Sequence, residues 1–167
     1  MPIVSLEQLA EQCRRWQQAG ERLVLTNGVF DLLHVGHLRY LNAARAAGDR
    51  LIVAVNSDRV TRQLKGVSRP IVPAAERAEL LAGLRCVDAV TIFDQLTAVE
   101  VLLTVHPAVY AKGGDYAAAD GSVDERRLPE AAAARSVAAR ILLLPVSDGH
   151  ATSALVERIR QGRSAVD

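Results

Sequence analysis

Leu23-Val24-Leu25-Thr26-Asn27-Gly28-Val29-Phe30-Asp31-Leu32-Leu33-His34-Val35-Gly36-His37 carries the chain from a strand into a helix and sets two imidazoles three residues apart at the junction. Its first three residues are short, apolar and β-branched enough for a parallel strand covered on both faces. From Leu38 to Ala47 the apolar residues return at helical spacing. The His-x-Gly-His element therefore falls at the carboxyl end of a strand and the N-terminus of a helix. Unpaired backbone N–H groups and the helix dipole attract an anion there. Gly28 and Gly36 remove side chains where a phosphate approaches the backbone. The stretch reads as a phosphate site. A zinc reading needs further ligands, and Cys13, Cys86, His106 and His150 show no clustered ligand spacing.

On either side of this corner strand and helix alternate with short connections. Ser5 to Ala19 reads as an amphipathic helix with Ser5 as N-cap and Gly20 as its stop. After the corner come a strand from Arg50 to Asn56, a polar, basic segment from Arg59 to Arg69, and a helix from Ala74 to Arg85 introduced by Pro73. Strand-like runs recur at Ala89 to Phe93, Ala108 to Lys112 and Arg140 to Leu144, with helices at Thr97 to Val105, Leu128 to Ala139 and Thr152 to Arg160. The expectation is an α/β fold: a single Rossmann-like, doubly wound parallel sheet of about five strands with helices on both faces, forming one domain over residues 1–167.

Composition sets the outer bounds. A chain of 167 residues that is 50% hydrophobic can bury a full core as one domain. A net charge of +1, with basic residues spread along the chain, argues against a nucleic-acid surface. No apolar run approaches a membrane span, and the N-terminus lacks a signal-peptide layout, so a cytoplasmic protein is expected. Two distant cysteines imply reduced thiols rather than a disulfide framework.

In such a fold ligands bind outside the carboxyl ends of the strands, and the polar residues collect there. Asn27, Gly28, Asp31, His34 and His37 follow the first strand; Asn56, Ser57 and Asp58 the second; Lys112, Gly113, Gly114 and Asp115 the fourth; Ser147 to Ser153 the fifth. Each group alone is an ordinary cap or turn. Their common edge makes them a candidate site.

The run TNGVFDLLHVGH, the VNSD after the second strand, LKGVSRP, KGGDY and the closing SDGHATSALVERI together resemble the cytidylyltransferase-like nucleotidyltransferases. Within that superfamily they are most similar to the stand-alone D-glycero-β-D-manno-heptose 1-phosphate adenylyltransferases. The resemblance covers the chain from about Leu6 to Ile159. It implies transfer of a nucleotidyl group from a nucleoside triphosphate, here ATP, to a phosphorylated small molecule, with magnesium as cofactor and a homodimer as the working unit. His34 and His37 would serve the triphosphate and its α-phosphoryl transition state. Thr26, Asn27, Gly28, Val29 and Phe30 would supply the backbone cradle, and Lys65 would grip phosphates as a lid closes. Lys112, Gly114, Asp115 and Tyr116, with Thr152 and Ser153, would surround the nucleotide. Asp31, Asn56 and Asp58 would face the acceptor, where carboxylates suit sugar hydroxyls. Arg62 and Arg69 are further candidate phosphate contacts, and Arg77 is either a surface charge or a second substrate-phosphate contact.

The chain departs from the family pattern at Ala151, where a first serine is expected before Thr152 and Ser153. A lost hydrogen bond to phosphate there is worth about 1.5–3 kcal/mol. Two other functions stay open: a cytidylyltransferase for glycerol 3-phosphate or another small phosphorylated alcohol, and a nucleotide-binding regulator without turnover. KGGDY favours the heptose group over the first, and intact His34, His37 and Lys65 argue against the second. A redox dinucleotide protein is disfavoured by the missing Gly-x-Gly-x-x-Gly fingerprint.

Overall fold

Alternate residues of the first strand feed opposite layers of the molecule. Leu23 and Leu25 pack into one hydrophobic cluster and Val24 into another, all three wholly buried. That two-faced burial is what a parallel sheet sandwiched between helices demands of a strand. In the computed structural model, which describes residues 3–145 and 152–162, five parallel strands form one sheet. They are β1 (Leu23–Gly28), β2 (Arg50–Asn56), β3 (Ala89–Phe93), β4 (Val109–Gly113) and β5 (Arg140–Leu144), in the spatial order β3-β2-β1-β4-β5.

Three helices, α1 (Leu6–Gln18), α5 (Val99–Val105) and α6 (Ala131–Ser136), cover one face through Leu9, Cys13, Leu102, Val105 and Ala134. The other face is covered by α2 (Val35–Arg45) and α4 (Ala74–Ala82) through Leu41, Ala44, Ala78 and Leu81. Two further helices, α3 (Asp58–Lys65) and α7 (Thr152–Arg160), stand at the carboxyl end of the sheet. At the start of α1 the expected cap is present. Ser5 Oγ accepts from the Gln8 N–H while Gln8 Oε1 accepts from the Ser5 N–H.

The doubly wound α/β expectation is met. The chain winds from β1 through β2 to β3, then crosses back to place β4 on the other side of β1. The strand order reverses between β1 and β4, and a crevice opens at their carboxyl ends.

Some boundaries differ from the sequence expectation. The basic segment after β2 begins as helix rather than polar loop: Ser57 Oγ accepts from the Val60 N–H, and Val60 and Thr61 turn inward. Helix α2 starts at Val35, so His34 is its cap rather than a residue of the preceding loop. Helices α4 and α6 are shorter than expected, and β1 runs on to include Asn27 and Gly28.

Candidate functional site

Phe30 and Leu32 both take left-handed backbone conformations, with φ of 51° and 49°, although neither is glycine. Strain of this kind persists where surrounding contacts over-determine it. Between them Asp31 supplies those contacts. Its carboxylate is buried, accepts from the Ile71 and Val72 N–H groups at 3.0 Å each, and pairs with Arg69 at 2.9 Å. Asp31 thus straps residues 69–72 to the corner after β1. Expected to face acceptor hydroxyls, it does line the cleft, and each of its oxygens already accepts one backbone N–H.

The backbone then turns into α2. His34 caps the helix, its Nδ1 accepting from the Gly36 N–H at 3.1 Å. A neutral His34 therefore carries its proton on Nε2. The His34 and His37 rings stack with centroids 3.9 Å apart and 24° between planes, and the Phe30 ring meets His37 edge-on at 5.5 Å. A Cβ on Gly28 would lie 3.1 Å from the Phe30 ring, so this glycine makes room for the aromatic wall as well as for a ligand. Burial first, and the neighbouring His34 second, push His37 down to about 4, against the opposing pull of Asp31. His37 is neutral at physiological pH. Its Nδ1 is buried without a hydrogen-bond partner among the described residues.

Both imidazoles open onto a cleft of about 1050 Å³ at the β1/β4 crevice. Asn27, Gly28, Val29 and Phe30 form the wall from β1. Asn56 enters from the end of β2, and Lys65 from the last turn of α3. Gly66, which ends α3 with φ of +92°, occupies a conformation that glycine adopts without steric cost. Across the crevice stand Lys112, Gly114 and Asp115. The Lys112 ammonium donates to Asn27 Oδ1 at 3.1 Å, and Asn27 Oδ1 also accepts from the Tyr110 hydroxyl at 2.6 Å. Burial lowers the Lys112 pKa, while Glu130 and Asp115 oppose the shift. Thr152 closes the site, its hydroxyl donating to the Asp31 carbonyl at 2.9 Å. That single proton is spent on the backbone, so in this arrangement Thr152 positions α7 rather than offering a hydrogen to a phosphate.

Other sequence candidates lie outside the cleft lining. Thr26 is buried and reaches the site through Tyr40, whose hydroxyl lies 2.7 Å from its own. Asp58 caps α4 by accepting from the Ala74 N–H at 2.8 Å. Arg62 is exposed on α3, and Arg69 is held by Asp31. Arg77 requires a correction: it is wholly buried and is neither a surface charge nor a cleft residue. Its guanidinium donates to the carbonyls of Val72 at 2.8 Å and Asn56 at 3.0 Å, to that of Val29, and to Asp58 Oδ1 at 2.7 Å. It ties the ends of β1 and β2 to α4. The Ser153 side chain and the Gly149-His150-Ala151 part of the final motif lie outside the described residues.

Sequence reasoning missed Tyr40, Leu64, Leu96 and Glu130 in the lining. Tyr40 sits one turn after His37 on the same helix face, which its spacing would have revealed. Glu130 carries no such signal.

A family model described as cytidylyltransferase-like matches residues 25–157. The bifunctional protein HldE of Koribacter versatilis is 46% identical over 156 residues, covering 93% of this chain and 31% of that protein. HldE of Geotalea uraniireducens is 44% identical over 160 residues, covering 96% and 31%. The chain thus spans just under a third of the length of these curated relatives. Among solved structures, the lipopolysaccharide core biosynthesis protein of Thermoplasma volcanium superposes with a TM-score of 0.60 at 25% identity, over 77% of this chain and 98% of that one.

Proposed function

The chain belongs to the cytidylyltransferase-like family of nucleotidyltransferases, and from that premise we propose that it transfers AMP from ATP to D-glycero-β-D-manno-heptose 1-phosphate, releasing pyrophosphate and forming ADP-heptose. The observation that carries the proposal is the stacked His34–His37 pair at the N-terminus of α2, opening onto the β1/β4 crevice. The likeness to a protein described as serving lipopolysaccharide core biosynthesis, together with the KGGDY run, supports a sugar phosphate as acceptor.

The chemistry asks little of a base. A phosphate monoester has a second pKa of about 6, so its dianionic oxygen attacks the α-phosphorus directly at neutral pH. Charge then builds on the equatorial oxygens and on the departing pyrophosphate, and preorganised donors aimed there lower the barrier. His34, with Nδ1 already accepting, offers Nε2–H. His37, held neutral, serves as a fixed donor beside it rather than as a cation. The backbone N–H groups at the start of α2 add to the same anion site. Lys65, at the free end of α3, grips the triphosphate as a mobile charge.

Among the described residues no group of three or more His, Cys, Asp or Glu side chains is placed to hold a metal ion. Asp115, exposed on the cleft wall, would be the residue to lend an oxygen to a magnesium ion brought with the triphosphate. Held there, the ion would supply positive charge against the phosphate oxygens. The family resemblance also implies a homodimer, which sedimentation equilibrium tests.

The deciding assay is pyrophosphate release from heptose 1-phosphate with magnesium, run in parallel with ATP, CTP, GTP and UTP. Release with ATP is expected. Release with CTP alone would replace the donor, and silence with all four would refute the proposed reaction.

A further inference from the structure

Glu130 is the buried carboxylate of the cleft that none of the phosphate chemistry uses. It is 4% exposed, precedes α6, lines the cleft, and accepts from the Ala98 N–H through Oε1 at 2.9 Å. Lys112, 5% exposed, lines the same cleft, its Nζ donating to Asn27 Oδ1 and lying 4.5 Å from the Tyr116 ring centroid. The two form no ion pair within 4.0 Å. A carboxyl and an amine, each about nineteen-twentieths buried, thus line the same cleft more than 4.0 Å apart, with space between them.

A hydroxyl fits such a gap, since it donates to the carboxylate and accepts from the ammonium at once. A phosphate does not, because a buried carboxylate repels it. The layers of the fold separate the two chemistries. His34, His37 and α2 belong to the face covered by α2 and α4, and Thr152 is tied to that side through the Asp31 carbonyl. Glu130 belongs to the layer of α5 and α6, anchored at Ala98 just before α5. The imidazoles reach the crevice from one face of the sheet, and Glu130 from the other.

We infer that Glu130 and Lys112 form the subsite that recognises the hydroxyl-bearing sugar ring of the acceptor, with Glu130 as a specificity-determining residue. This moves Lys112 from the nucleotide side of the cleft to the acceptor side. The inference rests on the sugar phosphate acceptor proposed above.

The test is Glu130→Gln, which keeps an oxygen for the Ala98 N–H and removes only the charge facing the gap. Equilibrium binding of heptose 1-phosphate and of ATP is measured separately for wild type and variant, alongside turnover. The sugar phosphate should bind about ten- to a hundredfold more weakly to the variant, with ATP affinity within about twofold of wild type. Thermal melts check the fold. If Glu130→Gln is unfolded, Lys112→Gln removes the other side of the gap and should give the same pattern. Unchanged sugar phosphate binding, or a loss confined to ATP, overturns the inference while leaving the reaction in place. Wild-type binding without turnover, lost in the variant, supports the subsite and refutes the proposed reaction. No wild-type binding refutes both.

Discussion

Arg77→Met should unfold the molecule more readily than any surface change, although Arg77 touches no ligand. The guanidinium is 0% exposed and serves three backbone carbonyls and one carboxylate. Methionine fills much of the stem volume but donates nothing. Removing one partner of a buried ion pair costs about 3–5 kcal/mol, and the orphaned carbonyls are part of that loss rather than additions to it. Asp58 keeps the Ala74 N–H, and its side chain is 32% exposed, so water recovers part of its solvation. The expected loss is therefore in the lower half, about 3–4 kcal/mol. For a chain of this size that corresponds to a fall in Tm of roughly 6–16 °C. Urea unfolding followed by circular dichroism should show a lower midpoint at unchanged slope. Because the Val29 and Asn56 carbonyls hold the ends of β1 and β2, kcat/KM should fall in the folded fraction too. Arg77→Lys, which reaches fewer acceptors at a time, should lie between. A loss under about 1 kcal/mol, within reach of ordinary surface changes, would refute the claim that this guanidinium holds the site together.

Three further outcomes follow from the same geometry. His37 is held neutral, so its contribution to stability is complete above its unfolded value of 6.5 and is lost as pH falls from there toward about 4. His37→Gln should flatten the pH dependence of the urea midpoint across that window and lower turnover by about a hundred- to a thousandfold; an unchanged slope would remove the burial argument, and full activity the catalytic one. Thr152→Val, which breaks the hydrogen bond to the Asp31 carbonyl, should weaken ATP binding by about two- to tenfold in calorimetry while Thr152→Ser does not, and equal behaviour of the two would show that the hydroxyl is idle. Lys65→Ala should raise the KM for the nucleotide about tenfold and reduce its dependence on salt, since an exposed charge acts through a screened field; a salt dependence identical to wild type would place Lys65 outside the phosphate grip.

What was legible in the chain followed from local periodicity. Leu23 to Leu25 and Arg50 to Asn56 are apolar enough to be covered on both faces, and Ser5 with Gln8 spells a capping box. The His-x-Gly-His corner was visible because two imidazoles and a glycine at a strand-to-helix junction have a local chemical meaning. Helix α3 was obscured by Arg59, Arg62 and Lys65, although Ser57 as a cap and Val60 four residues before Leu64 carried the helical signal. Arg77 was unreadable for a deeper reason. An arginine between Glu76 and Ala78 looks like the wet side of an amphipathic helix, and only the convergence of residues 29, 56 and 72 makes its burial affordable. Asp31 and Thr152 were placed at the cleft, but their bonds to backbone brought near by folding carry no signal in the sequence.

The reversal of strand order sets a sequence of events for the chain as it acquires its structure. β1, β2 and β3 pair with near neighbours, Leu23 with Arg50 and Ile52 with Ala89. The other edge of β1 waits for β4, where Val24 meets Val109. Loop closure over that distance is slow relative to the local pairings. Until it happens the phosphate corner has one wall, and the apolar edge of β1 is an open template for another chain. A chain interrupted after β3 would keep the histidines and lose the crevice, leaving a half-sheet prone to self-association rather than a weakened enzyme.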